Sequence, residues 1–392
     1  MQPFSPDFNN TEVAFAGKSA NDLNRAYWLF KIISYNWLVK VSPPFVNTAI
    51  ALHLPIKGII KSTIFKQFCG GEDITDCNKT ILQLAKYNIG TILDYSVEGK
   101  ENEAEYDATL NETLAALNRA KGDPAIPFGV FKVTGVASFE LLEKISCGAS
   151  LTNNEAMAWE KVKQRVDTIG NAAAINNVPV FVDAEESWIQ VAIDSLAIDL
   201  MKKYNKEKAI VYNTYQLYRH DKLEQLKNEI SASKAQGYFL GAKLVRGAYM
   251  EKERKRASSK NEFSPIQKDK LASDHDYDAA IQLCLDHLDQ VAICAGTHNE
   301  KSSLLLANEM IKRKINPDDK RIFFSQLYGM SDHISYNLAA LGYNVAKYVP
   351  YGPVTAVLPY LIRRAQENTS VKGQTGRELS LIMAERRRRK KA

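Results

Sequence analysis

Eight short apolar runs rich in β-branched residues recur from about residue 89 onward, each closing on polar residues. They are "TILDYS" (91–96), "FGVFKVTG" (128–135), "VPVFVDAE" (178–185), "AIVYNTYQ" (209–216), "FLGAKLVRG" (239–247), "QVAICAGTHN" (290–299), "RIFFSQLYG" (321–329) and "NVAKYVPYG" (344–352). Between them the apolar positions take helical spacing, as in "EAEYDATLNETLAALNRA" (103–120) and "SDHISYNLAALG" (331–342). Runs this short read as strands, and strands alternating with helices build a parallel sheet. Eight copies predict an α/β fold, a closed (β/α)8 barrel over 89–370, because open doubly wound sheets usually have fewer strands. No G-x-G-x-x-G follows any strand, so the dinucleotide-binding fingerprint of the open sheet is missing as well.

The flanks follow other rules. Residues 1–88 read as an N-terminal helical arm outside the repeat. Within the arm, "YWLFKIISYNWLVKV" (27–41) is broken by Lys31, Asn36 and Lys40. A membrane span needs about 20 mainly apolar residues, so this run reads as a buried amphipathic helix ahead of a helix lying on a membrane surface. "RASSKNEFSPIQKDKLASDHD" (256–276) is a polar insertion after the fifth strand, long enough for a lid or a disordered loop. "MEKERKR" (250–256), just before it, reads for the most part as a solvated charge run. In 371–392, Leu379, Ile382, Met383 and Arg386 have helical spacing, predicting a helix that docks before its basic end emerges.

Composition narrows the function classes. The formal charge is +6, but "RRRRKK" (386–391) alone supplies six positive charges, so the body is neutral. A nucleic-acid footprint is not expected. The five cysteines (69, 77, 147, 284, 294) are odd in number and scattered, without a C-x-x-C pair. That argues against a disulfide framework or zinc site and for a reducing compartment. "MQPFSPDFNNTEVAF" lacks the basic start and apolar core of a signal peptide. No metal-ligand spacing appears.

In barrels of this kind the chemistry sits at the C-terminal ends of the strands. The polar residues there are Lys132, then Asp183 and Glu185, Asn213, Lys243 with Arg246 and Tyr249, Thr297 with His298 and Asn299, Gln326 with Tyr328, and Tyr348. The helix after the eighth strand adds Arg363, Arg364 and Glu367. Singly, each has an ordinary reading: a structural histidine, a surface ion pair of a few tenths of a kcal/mol, or acids favoured at a helix start. Together, cations gathered at strand ends predict an anionic ligand, and no Ser or Cys nucleophile with a base competes.

"KLVRGAYMEKER", "VDAEES", "NTYQ", "GTHN", "QLYGMSD" and "YVPYGPVTAVLPYLIRRAQEN" together, in this order, resemble proline dehydrogenase in its monofunctional form. The resemblance spans the third to eighth strands and the final helix. It implies a distorted (β/α)8 barrel, with the last helix over the barrel mouth, holding non-covalent FAD. It also implies oxidation of L-proline to Δ1-pyrroline-5-carboxylate, electron transfer to a membrane quinone, and pyrroline-5-carboxylate dehydrogenase as pathway partner. By motif, Arg363 and Arg364 clamp the proline carboxylate with Lys132 as a third cation, and Asp183 sits by Lys132 and orients the pocket. Leu327 and Tyr348 pack the ring, and Tyr249 lines the pocket. Flavin contacts map to Asn213, Lys243, Val245, Arg246, Gly247, Ala248, Thr297, His298, Asn299 and Glu367.

The chain departs from the bifunctional bacterial members, which resemble "RLVKGAYW". Here Lys243 and Arg246 exchange the two cations, Met250 replaces the tryptophan, and Asn213 stands where they carry glutamine. Which of Lys243 and Arg246 faces flavin N5 is open at this point. Relatives that prefer hydroxyproline carry a smaller residue at Tyr348, so its retention favours proline over a hydroxyproline dehydrogenase. Two other classes are conceivable: a barrel glycoside hydrolase using Asp183 and Glu185, or a lipid or nucleic-acid binder acting through the basic tail. A hydrolase pair normally flanks its bond from opposite sides, which two residues on one strand do not. Without an Arg-rich transit peptide, the expected location is a bacterial cytoplasm with peripheral contact to the inner membrane, ahead of a mitochondrial matrix.

Overall fold

The computed structural model describes residues 5–35, 57–97, 99, 101–370 and 374–391, apart from the side chains of 365–370, 374 and 375. Residues 36–41 of the amphipathic run and the side chain of Glu367 lie outside the described residues. All eight expected strands form: β1 (Ile89–Tyr95), β2 (Gly129–Lys132), β3 (Val180–Asp183), β4 (Val211–Gln216), β5 (Leu240–Val245), β6 (Val291–Gly296), β7 (Ile322–Leu327) and β8 (Val345–Tyr351). They make one sheet in the order β1-β8-β7-β6-β5-β4-β3-β2, and the registered pairs are parallel. That is the cyclic order of a (β/α)8 barrel. Helices start where a side chain can satisfy the first free N–H groups. Asn102 caps Glu103–Ala120, Asp269 caps Lys270–Asp286, and Thr152 with Glu155 forms a capping box on Asn153–Asn176.

The chain divides into two compact units, Gly99–Ser325 and Met1–Glu98 with Gln326–Ala392. In the first, alternation along the strands separates two faces. One face carries an aromatic layer in which Phe128 stacks on Phe181 with centroids 4.4 Å apart, and Tyr212 and Phe323 meet Phe128 edge-on. The other face packs on the helices. The insertion after β5 is an ordered strap. Helix Met250–Lys260 ends at Asn261 in a left-handed conformation. The following loop then takes the N–H of His220 on Pro265 O and gives the N–H of Gln267 to Tyr218 O.

The charge run 250–256 is solvated for the most part, as expected, with Glu251, Lys252, Arg254 and Lys255 exposed, but Glu253 and Arg256 dock beside the turn after β3. Glu253 is buried and accepts from both the N–H and Oγ of Ser187, at 2.7 and 2.6 Å. Lys252 pairs with Glu186, and Arg256 lies over the Trp188 ring while bonding Glu143. Helix Ser187–Tyr204 has no cap from its own N-cap residue, Glu186. A carboxylate from another helix does that work, which no local pattern reveals.

In the second unit, helix Ala20–Ile33 buries Leu23, Ala26, Phe30 and Ile33. They share one apolar cluster with Phe65, Phe68, Val357, Leu361, Leu381 and Ile382. The arm and the helices Leu358–Ser370 and Gln374–Lys391 thus have a common core. The helix docks, and of its basic end Arg387, Lys390 and Lys391 are exposed while Arg386, Arg388 and Arg389 are half-buried. Buried Glu385 accepts from Arg388 and Arg389, and Arg389 also donates to Lys18 O and Phe15 O, both at 2.8 Å. Arg386 lies 4.1 Å over the Tyr27 ring. Guanidinium groups, with several donors each, close the open carbonyls of the arm.

Candidate active site

Lys132 and Asp183 are the last residues of β2 and β3 and face one another in register. Asp183 Oδ1 accepts from Lys243 Nζ on β5 at 2.5 Å, and Lys132 Nζ lies 3.7 Å from Asp183 Oδ2. Lys243 is buried and sits 5.4 Å over the Phe181 ring, while Lys132 is the more exposed of the two. Two ammonium groups share one carboxylate above an aromatic layer. Two ammonium groups gathered at strand ends suit an anionic ligand.

Glu185, two residues past Asp183, is buried and accepts from Thr134 N at 3.0 Å and Thr134 Oγ1 at 2.5 Å. Burial pushes its carboxyl up to about 7, although the Thr134 bonds and the charge of Lys132 pull the other way. Its carboxylate is therefore taken up by the turn after β2, and the hydrolase pairing with Asp183 finds no geometric support.

Lys243 and Arg246, three residues apart, point to opposite faces. Arg246 is held by the helix layer: Nε to Asp274 at 2.7 Å, Nη1 to Thr297 Oγ1 at 2.8 Å and Nη2 to Ser302 Oγ at 2.9 Å. Its guanidinium also stacks 4.3 Å over Tyr277. Asn299 caps helix Glu300–Lys312, and His298 beside it is half-buried. Asn213 turns to the helix layer too, giving Nδ2 to Asp194 at 2.9 Å within a buried cluster completed by Lys222, Gln225 and Glu229.

The residue the strand pattern overlooked is Gln216. It ends β4 in register with Val245, as Thr214 is with Lys243, so Gln216 shares the face of Lys243. Its side-chain carbonyl Oε1 is buried with no hydrogen-bond donor among the described residues. An orphaned acceptor there fits a ligand that brings its own N–H or O–H, as a flavin does. The odd spacing between Asn213 and Gln216 could have shown that only one of them faces the ligand.

After β5 the backbone opens. Val245 is half-buried, Gly247 and Ala248 are exposed, and Tyr249 begins helix Met250–Lys260 with Lys252 over its ring. Gly247 has φ +136°, and a Cβ there would lie 2.4 Å from the Tyr218 ring. Gly247→Ala is therefore expected to cost on the order of 1–3 kcal/mol through strain alone. A thermal midpoint equal to wild type would contradict this.

In the other unit, Leu327 closes β7 half-buried, and Tyr328 N–H donates to Tyr348 O at 2.7 Å. Tyr348 is in register with Ile92, and Lys347 beside it is fully buried on the opposite face. Lys347 Nζ reaches Asp332 Oδ1 at 2.8 Å, Met330 O at 2.5 Å and Leu327 O at 3.5 Å. Lys18 of the arm meets Asp332 from the other side at 3.1 Å. Gly329, at φ +78°, leaves its carbonyl to Gln67 Nε2 at 2.8 Å, and Glu378 accepts from Ser331 N–H at 2.5 Å. Arg363 and Arg364 are consecutive on helix Leu358–Ser370. Arg363 is half-buried, and Arg364 is buried with its guanidinium 5.2 Å from the Tyr360 ring.

The model of the family described as proline dehydrogenase matches residues 77–377. The chain belongs to the proline dehydrogenase family. It is 32% identical to "Proline dehydrogenase 1, mitochondrial" of Dictyostelium discoideum, over 97% of this chain and 74% of that protein. It is 30% identical to "Hydroxyproline dehydrogenase" of Xenopus laevis, over 96% of this chain and 88% of that one. Among solved structures it resembles proline utilization A from Bdellovibrio bacteriovorus inactivated by N-propargylglycine. That match has a TM-score of 0.70 and 20% identity, and covers 93% of this chain. The chain spans 37% of that longer chain, and the likeness establishes the (β/α)8 fold alone.

Proposed function

We propose that the chain oxidises L-proline to Δ1-pyrroline-5-carboxylate with non-covalent FAD and passes the electrons to a quinone. The observation that supports this best is the Lys132–Asp183–Lys243 cluster, two ammonium groups about one carboxylate on strand ends above an aromatic layer. The proline carboxylate meets Lys132 together with the guanidinium groups of Arg363 and Arg364, whose planar forks suit a carboxylate. Asp183 keeps Lys132 in place, and Tyr348, Leu327 and Tyr249 pack the pyrrolidine ring. FAD, when bound, supplies the acceptor for the hydride leaving the ring carbon next to nitrogen.

Lys243, Val245 and Gln216 on one strand face, with the exposed backbone of Gly247 and Ala248, are the groups that would hold the flavin ring. Thr297, His298, Asn299, Arg246, Asn213 and Glu367 complete the expected set. What the chain must do is hold the reacting carbon in place and exclude water, so that most of the barrier reduction comes from positioning. Turnover of L-proline with a dye acceptor, with NAD in its place as the negative control, tests the proposal. Protein that stays colourless and cannot be reconstituted with FAD would defeat it.

Tyr348 decides between proline and its 4-hydroxylated form, since a full phenol leaves no room beside the ring for a hydroxyl. Tyr348→Ser is expected to raise the hydroxyproline-to-proline ratio of kcat/KM by about tenfold, the scale of a pocket-size change. An unchanged ratio would remove Tyr348 from the specificity argument.

No described helix is long and apolar enough to cross a membrane. Helix Ala20–Ile33 and the residues just after it expose Trp28, Ile32 and Tyr35 at helical spacing, with Lys31 over the Trp28 ring. An aromatic stripe with a cation suits the headgroup region of an anionic membrane and supports peripheral contact with a quinone-bearing bilayer. Failure to co-sediment with anionic vesicles at low salt would count against it. The product then goes to pyrroline-5-carboxylate dehydrogenase as pathway partner.

A further inference from the structure

We infer that Glu185 is a positioning residue, which sets Lys132 against Asp183 for the substrate carboxylate by holding the turn that follows β2. The inference rests on the proposed function, in which Lys132 contacts that carboxylate. Lys132 and Asp183 are the last registered pair between β2 and β3, so no ladder bond fixes the chain beyond them. The backbone runs from Lys132 straight into the tight turn Val133–Gly135. Thr134 in this turn gives both its N–H and its hydroxyl to Glu185, one to each carboxylate oxygen.

Glu185 is held in its turn. Its own N–H donates to Gln190 Oε1 at 2.8 Å, and Gln190 Nε2 donates to Asp194 at 2.8 Å. Gln190 is fully buried. A continuous set of bonds therefore runs from the turn carrying Lys132 to the helix behind β3, and Glu185 is the link between them. A long lysine side chain has several rotatable bonds, so its ammonium can be aimed only as well as its backbone is fixed.

The same carboxyl lies close to the cation it positions. The charged groups acting on it are Lys132 from β2, which favours its ionised form, and Glu186 from its own turn, which opposes it. Because burial lifts Glu185 to about 7, its negative charge appears as pH rises through neutrality and then competes with a ligand carboxylate for Lys132. The raised value also gives the stability sign. Relative to the unfolded chain, Glu185 costs nothing below the ordinary carboxyl range, and its cost grows up to about pH 7. Glu185→Gln is therefore expected to leave the thermal midpoint unchanged or higher above neutrality.

The test uses FAD-loaded full-length enzyme and the inhibition constant of cyclopentanecarboxylate, which has the ring and carboxylate of proline without the titrating nitrogen. In wild type this constant is expected to rise about threefold to tenfold from pH 6 to pH 8, the scale of one added charge nearby. Glu185→Gln should flatten the step. Glu185→Ala should raise both the inhibition constant and the KM for proline about tenfold at every pH, while kcat and the flavin spectrum stay close to wild type. Thr134→Val, which removes one of the two bonds, should show a smaller rise in the same direction and carries the test if the alanine variant does not fold. Wild-type constants in both Glu185→Ala and Thr134→Val, or in Thr134→Val alone should the alanine variant not fold, would overturn the positioning role. A pH step retained in Glu185→Gln would overturn the charge effect. Wild-type enzyme that does not turn over proline would instead defeat the proposed function, so the two failures are distinguishable.

Discussion

Arg363→Met is expected to raise the KM for L-proline on the order of 100-fold while flavin content and kcat at saturating proline stay near wild type. The reason is chemical. A guanidinium offers two parallel N–H donors to a carboxylate, and each charge-assisted bond is worth about 1.5–3 kcal/mol. Losing about 2.8 kcal/mol of binding is a 100-fold change in affinity. The carboxylate is remote from the carbon that loses hydride, so the interaction is equally strong in ground and transition states, and its removal appears in KM. Methionine keeps the length and apolar contacts of the side chain, so helix Leu358–Ser370 should keep its place in the apolar cluster through Leu358 and Leu361. Arg363→Lys restores the charge without the fork and should fall between the two. Steady-state kinetics with the flavin absorbance recorded on the same sample decides the matter. An unchanged KM would move the carboxylate elsewhere.

Asp332→Asn is expected to destabilise the protein by about 3–5 kcal/mol, the cost of leaving buried cations without their counter-charge. Lys347 is fully buried, and its other partners are the backbone carbonyls of Met330 and Leu327. Burial alone would raise the Asp332 carboxyl, but Lys18 and Lys347 overcome it and hold the group well below the usual carboxylate range. For a carboxyl depressed in the folded state, the stabilisation is present above its unfolded value, about 4, and is lost as pH falls below it. Wild type should therefore lose midpoint temperature steeply on acidification, and Asp332→Asn should lose less over the same range. Adding Lys347→Met to Asp332→Asn removes the stranded cation and should recover part of the loss, a coupling that a double-mutant cycle measures. The same network fixes the carbonyl of Leu327, so KM should rise in Asp332→Asn even at temperatures where it remains folded. Additive single losses would mean that the pair is not coupled.

Helix Glu103–Ala120 and strands β1 to β8 could be read from spacing because their signals are local: a period of 3.6 or 2, and an N-cap such as Asn102 a few residues away. The polar strand ends were legible for the same reason, since a parallel sheet puts chemistry where the strands stop. Asn213 shows the limit. Its place in "NTYQ" suggested a ligand contact, yet its face of β4 meets Asp194, and Gln216 three residues on occupies the other. Within the charge run 250–256, Glu253 is the exception to a solvated surface, because it finds Ser187, 66 residues earlier in the chain.

The sequence by itself determined the class of fold, the order of its strands and the residue types at their ends, because each depends on neighbours within one or two turns of chain. Tertiary structure alone decided which side of each strand a cation serves, and what the arm and the basic end attach to. Lys243 and Arg246 sit in one motif but are claimed by Asp183 and Asp274 on opposite faces. Arg389 spends its charge on Glu385 and its donors on the carbonyl of Phe15, 374 residues away. A buried charge must be paired wherever the fold brings a partner, and the identity of that partner depends on packing between distant segments.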